Sequence, residues 1–234
     1  RDVFLKELRS FLKRMPDFRL LDSVEAIRLK SSVRYPGIHK FPGRKNRSPG
    51  PMRIVWAARW EYDKNPLLLF EALRILKTRN IGFRLNVIGQ HGKNIPDLFF
   101  SSRKEFSCLI DRWGYQQNRH DYENTLLEAD VFVSTADHEF FGISVVEAAA
   151  AGAFPLVPER LAYPETLELE AGNEDFYYKG GANKLAERLI YLSERIQNND
   201  LWGDDPNRAV RITQKFHWES KVKQFDHYLN TLLI

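Results

Sequence analysis

The stretch "DVFVSTADHEFFGISVVEAAAAGAFPLV", residues 130–157, holds a short apolar run, a loop, an Ala-rich run that stops at Gly152, and a second apolar run. Read in order, these are a buried strand, a turn, a helix and another buried strand. Strands joined through a helix need a crossover connection, so the two lie parallel under the helix.

Working outward, "RIVWAAR" (53–59) and "FRLNVIG" (83–89) repeat the strand pattern. Between them "PLLLFEALRILKTR" is an amphipathic helix opened by Pro66, whose missing N–H is harmless in a first turn. "RHDYENTLLEA" (119–129) reads as helix and "DFYYK" (175–179) as a short strand, while residues 182–233 carry helical patterns interrupted near 198–206. The alternation predicts an α/β domain: a doubly wound parallel sheet with helices on both faces. Ligands of such sheets bind outside the carboxyl ends of the strands, where Arg59, Gly89 and Glu139 would fall.

The chain has 234 residues, 43% hydrophobic, enough for one well-cored domain and a piece of something else. Apolar residues at helical spacing from Val3 to Met15, with Lys6, Arg9, Lys13 and Arg14 off the stripe, predict a basic amphipathic helix ended by Pro16. It packs on a further domain or meets a membrane or RNA surface. "YPGIHKFPGRKNRSPGP" (35–51) is dense in Pro, Gly and cations and reads as an interdomain linker. The formal charge is +4, and its basic excess lies early, including Arg44 and Lys45, which permits an anionic partner. The single Cys108 rules out an internal disulfide and suits a reducing, cytoplasmic setting; it is expected to be a small buried side chain. No apolar run approaches the ~18 residues of a spanning helix. The chain opens at Arg1 directly in a helical pattern, so a preceding domain is expected.

Three strand ends carry the chemistry. Arg59 and Lys64, on the loop after the first strand, suit a diphosphate, or else pair at the surface with Glu61 and Asp63. Gly89 allows close backbone approach or simply turns the chain. Gly142 opens the Ala-rich helix, whose first N–H groups and dipole favour an anion, and Glu139 would face what lies beyond it. Glu147, five residues further on, sits among apolar neighbours, where an unpaired carboxylate is costly. Ribose hydroxyls or an internal Arg would satisfy it. His138 reads as a loop-shaping residue rather than a base. His91, His120, His217 and His227 show no metal-ligand spacing, and no metal or cofactor is expected. The aromatics, Trp56, Trp60 and Trp113 among them, read as core and pocket wall. An early Gly-x-Gly-x-x-Gly turn is missing, which disfavours a dinucleotide oxidoreductase.

At these residues the sequence resembles the donor half of a GT-B glycosyltransferase of the retaining family 4 type. Glu139 and Glu147 match its paired glutamates, Arg59 and Lys64 its basic pair, and "FHWESKVKQF" its closing helix. The resemblance implies that residues 1–34 are a remnant of the N-terminal acceptor domain and 52–234 the nucleotide-sugar donor-binding domain. It further implies that Arg59 and Lys64 neutralise the leaving nucleoside diphosphate, Glu147 holds ribose and Glu139 touches the transferred sugar. Backbone around Phe141, Gly142 and Ile143 would assist, with the base near Trp113, Gly114 and Tyr115.

"RWEYDKNP", "STADHEFFG" and "YPET" look like the narrower group that moves mannose from GDP-mannose to queuosine in tRNA. Where many family 4 enzymes have Gly-Gly before Pro-Glu, this chain has Ala162 and Tyr163, a departure that fits that group. A lipid or polysaccharide acceptor, or a nucleotide-binding module without chemistry, are the alternatives. The acceptor side would come from the N-terminal domain, so donor binding without efficient turnover is expected of this chain alone.

Overall fold

In the computed structural model, which describes residues 1–43, 47–92 and 95–232, six strands form one parallel sheet. They are β1 (Met52–Ala57), β2 (Phe83–Ile88), β3 (Ile110–Gly114), β4 (Val131–Val133), β5 (Phe154–Pro158) and β6 (Tyr177–Tyr178). Their order across the sheet is β3-β2-β1-β4-β5-β6. The register aligns Met52 with Phe83 and Ile54 with Val131, and β1, β2, β4 and β5 are almost wholly buried. Continuous apolar strands of this kind need cover on both faces.

The helices are α1 (Asp2–Arg14), α2 (Leu21–Lys30), α3 (Pro66–Thr78), α4 (Asp97–Glu105), α5 (Arg119–Glu128), α6 (Ile143–Ala150), α7 (Tyr163–Thr166), α8 (Ala182–Gln197), α9 (Arg208–Thr213) and α10 (Trp218–Thr231). The chain winds outward from β1 to β3, then crosses back to β4 and outward to β6, so right-handed crossovers place α3 and α4 on one face and α5 and α6 on the other. Accordingly α3 packs with α4 and α8, and α6 with α5 and α9. The doubly wound sheet is as expected from the sequence. No helix among the described residues is long and apolar enough to cross a membrane.

The chain forms two compact units, Arg1–Pro36 and Gly37–Ile234. In the first, α1 packs against α2, and Leu5 and Val24 are buried. In the second, the described part of the stretch 37–51 packs against the unit's other elements. Ile38 and Phe41 are buried, and Ile38 bridges to His217: its N–H donates to Phe216 O at 2.8 Å and its carbonyl accepts from Trp218 N at 3.0 Å. Arg47 donates from Nε (2.8 Å) and Nη2 (3.0 Å) to Asp130, a fully buried carboxylate before β4 that also accepts from the Arg53 N–H. Burying that charge demands these partners, which pins the segment to the sheet. Arg44 and Lys45 lie outside the described residues.

The edge strand β3 and the helices α2 and α4 carry no strong pattern in sequence. "IDRWG" is only partly buried, so its polar Asp111 and Arg112 blur the strand signal. Cys108 is exposed, contrary to the buried position expected of it.

Candidate functional site

The order of strands reverses between β1 and β4, and the loops that leave their carboxyl ends diverge there. They frame a cleft of about 610 Å³. Arg59, Lys64, Gly89, Tyr115, Glu139, Ile143 and Glu147 all line it, so most of the residues singled out from separate strand ends do share one cavity.

The two principal loops are stitched together. Thr135 Oγ1 accepts from Trp56 Nε1 at 3.0 Å and donates to Lys64 O at 2.7 Å. The N–H groups of Asp137 and His138 donate to Asp63 O at 2.8 and 3.3 Å. Lys64, in a short 3-10 turn after β1, is only 11% exposed in its side chain. Its Nζ donates to His138 O at 2.6 Å and lies 3.3 Å from Asp63 Oδ2 and 3.5 Å from Glu139 Oε2. His138 joins the loop through its backbone and also borders the cleft.

Arg59 takes the surface pairing that the sequence left open. Its Nη1 donates to Glu61 Oε1 at 3.0 Å, with 61% of the side chain exposed. So exposed a pair contributes ~0–1 kcal/mol and yields readily to a doubly charged ligand. Glu139 folds back on its own loop, Oε1 accepting from the N–H of Phe140 at 3.0 Å and of Phe141 at 3.4 Å. One of the backbone donors expected to meet an anion, the Phe141 N–H, therefore meets Glu139.

Glu147 has internal partners that sequence reasoning did not name. Arg119 Nη2 donates to Oε1 at 2.8 Å and Tyr122 Oη to Oε2 at 2.6 Å, both from α5. Of the two kinds of partner the sequence allowed, the structure supplies the internal one: Arg119, joined by Tyr122, both from α5. A carboxylate has about four lone-pair sites, and Glu147 still borders the cleft, so further hydroxyl donors can be accepted. Burial, and then the negative Glu147, push the Tyr122 phenol well above its usual range, so it stays a donor. Arg119 and Tyr122 stand three apart on one helix, a spacing indistinguishable in sequence from an ordinary surface pair.

Gly142 caps α6 at φ +83°, and an added Cβ would stand 2.8 Å from the Tyr163 ring. Tyr163, the departure noted before Pro-Glu, fills this place: it is buried, lines the cleft and shares a 2.6 Å hydrogen bond with Ser134 Oγ. Phe140 projects at the cleft rim, 99% exposed, whereas the Phe141 ring packs edge-on to Phe216. Trp113 and Gly114 do not border the main cleft. They line a smaller cavity of about 280 Å³ with Trp60 and Phe99, which joins the first only through Tyr115 and Gln117. Trp113 stands within an aromatic cluster, its ring 5.4 Å from Trp60 and 6.1 Å from Phe70. Among the described residues no three His, Cys, Asp or Glu side chains gather as a metal site.

The fold and its switch-point cleft are those of one α/β half of a GT-B type glycosyltransferase. Residues 39–201 match the family described as "Glycosyl transferases group 1", and the chain belongs to that family. It is 35% identical over 232 residues to a tRNA-queuosine alpha-mannosyltransferase of Drosophila melanogaster, covering 91% of this chain and 60% of that one. It is 29% identical over 197 residues to a GDP-mannose:cellobiosyl-diphosphopolyprenol alpha-mannosyltransferase of Xanthomonas campestris, covering 82% of this chain and 50% of the relative. The chain thus spans only half to three-fifths of these relatives. Among solved structures, a glycosyltransferase from Rickettsia africae superposes with a TM-score of 0.65 at 19% identity over 80% of this chain and 49% of that one. The pneumococcal O-GlcNAc transferase GtfA does so at 0.63 and 15% identity, over 84% and 38%. These two show the fold alone.

Proposed function

We infer that this chain is the donor-binding half of a retaining mannosyltransferase that takes mannose from GDP-mannose and passes it to queuosine in tRNA. The observation that carries the reading is the convergence of Arg59, Lys64, Glu139 and Glu147 on one cleft at the sheet's switch point. The names of both curated relatives contain mannosyl transfer, one with GDP-mannose as donor and the other with tRNA-queuosine as acceptor. Residues 1–34 belong, in this reading, to the acceptor-side domain.

In the transfer the bond from mannose C1 to the β-phosphate oxygen breaks, and the acceptor hydroxyl oxygen bonds to C1 from the face that GDP leaves. The hydroxyl proton passes to the departing phosphate oxygen. Lys64 and an Arg59 released from Glu61 meet the charge that develops on GDP, and electrostatic stabilisation of this kind needs no metal or cofactor. Glu147, oriented by Arg119 and Tyr122, accepts hydrogen bonds from ribose, and Glu139 meets the sugar once it has left Lys64.

Calorimetric titration with GDP, UDP and ADP and their sugars tests the donor half. GDP and GDP-mannose are expected to bind best, and Arg59→Ala and Glu147→Ala each to weaken them about tenfold or more. Unchanged affinity in both variants would remove the site, and a preference for UDP the mannosyl donor. Incubation of the full-length enzyme with GDP-mannose and queuosine-containing tRNA, followed by mass spectrometry, tests the acceptor.

A further inference from the structure

Residues 1–36 hold nine basic and five acidic side chains, so the smaller unit carries the whole formal charge of +4 and the larger unit balances. Arginines of the larger unit are widely tied to carboxylates, as in Arg47–Asp130, Arg74–Glu105, Arg112–Glu128 and Arg119–Glu147. On α1 the pattern is the opposite. Lys6, Arg9 and Lys13 are exposed, and their side chains make no hydrogen bond or ion pair with any described residue. Glu25 of α2, held low chiefly by its hydrogen bond from Arg28, also feels the charge of Arg9.

Their spacing of three and then four residues puts the three cations within about 60° of arc on the helix, at ~100° per residue. Like charges so placed repel one another and destabilise the isolated helix. Such a stripe fits a polyanion. The exposed Phe4 and Phe11 lie about 180° around the helix from it, and Leu5, buried in the unit formed with α2, stands between. On an anionic membrane the cations of a helix flank the inserted apolar face, whereas these three stand opposite the exposed phenylalanines. A nucleic-acid backbone asks only for the cations.

We propose that Lys6, Arg9 and Lys13 of α1 form a docking stripe for the phosphate backbone of a structured RNA, a tRNA in the reading above. The choice of RNA rests on the acceptor half of that reading, but the test reads binding and not transfer. The protein is titrated with a labelled, unmodified tRNA transcript by fluorescence anisotropy between roughly 50 and 200 mM salt. The combined variant Lys6→Gln, Arg9→Gln, Lys13→Gln is expected to bind about tenfold or more weakly at low salt, with a salt slope shallower by roughly two to three. Its GDP-mannose affinity stays at the wild-type value, and its thermal midpoint does not fall, since the substitutions relieve repulsion along α1.

Wild-type affinity and slope in the variant would overturn the stripe, as would stripe-dependent binding to phosphatidylserine vesicles with none to tRNA. If the wild type mannosylates no queuosine tRNA while the stripe still governs transcript binding, the acceptor assignment fails and the stripe stands. If mannosylation is confirmed and the variant binds as wild type does, the stripe alone fails.

Discussion

Glu139 turns its carboxylate onto three donors at the cleft: Lys64 Nζ at 3.5 Å and the N–H groups of Phe140 at 3.0 Å and Phe141 at 3.4 Å. An anionic ligand has to compete with it. Glu139→Gln keeps the shape and removes the charge, so GDP should bind roughly three- to tenfold tighter while mannosyl transfer falls, the two read by calorimetry and by single-turnover assay. Weaker GDP binding in that variant would show that the carboxylate supports the diphosphate instead of opposing it. At this scale the sequence showed which charges stand at the strand ends and left their pairing open. Arg59 took the local partner two residues away, Glu61, while Glu147 took Arg119 and Tyr122 from another helix. A pairing of the first kind can be read from spacing. The second kind cannot, because no periodicity records where α5 lies against α6.

At the scale of elements, the end of β2 is the most constrained point beside the cleft. Gly89 has φ +149°, and an added Cβ would lie 1.8 Å from the carbonyl oxygen of Ala58. Backbone of the neighbouring strand's end cannot give way as a side-chain tip can. Gly89→Ala is therefore expected to lower stability by about 3 kcal/mol or more and to weaken GDP binding, measured by urea unfolding and calorimetry. An unfolding midpoint equal to the wild type would mean that the two strand ends can separate freely. Elements with continuous apolar patterns, β1, β2, β4 and α6 among them, were legible because burial on both faces leaves no alternation to blur. The edge strand β3 was not, since it is only partly buried and its charged side chains pair with other elements, Asp111 with Arg84 of β2 and Arg112 with Glu128 of α5.

For the larger unit as a whole, burial raises the phenols of Tyr122, Tyr163, Tyr177 and Tyr178 above their ordinary value of 10.0. Above that pH the unfolded chain loses protons that the folded protein keeps, so stability is complete below about pH 10 and falls as pH rises further. Chemical unfolding followed from pH 8 to about 11.5 should show this decline, and Tyr178→Phe should make it shallower. A flat profile would mean that these phenols ionise as easily folded as unfolded. The Pro- and Gly-rich composition of 35–51 hid a second feature of this scale: Ile38 and Phe41 join the core, and Arg47 meets the Asp130 carboxylate. By itself the sequence determined the parallel α/β layering and the inventory of ionic groups at its strand ends, because hydrophobic period and short spacings are local properties. Only the tertiary structure decided that Glu147 is held by α5, that Glu139 lies on Lys64, and that Arg47 meets the buried Asp130. Each of those contacts joins residues distant in the chain, and a buried charge takes whichever partner packing brings within reach.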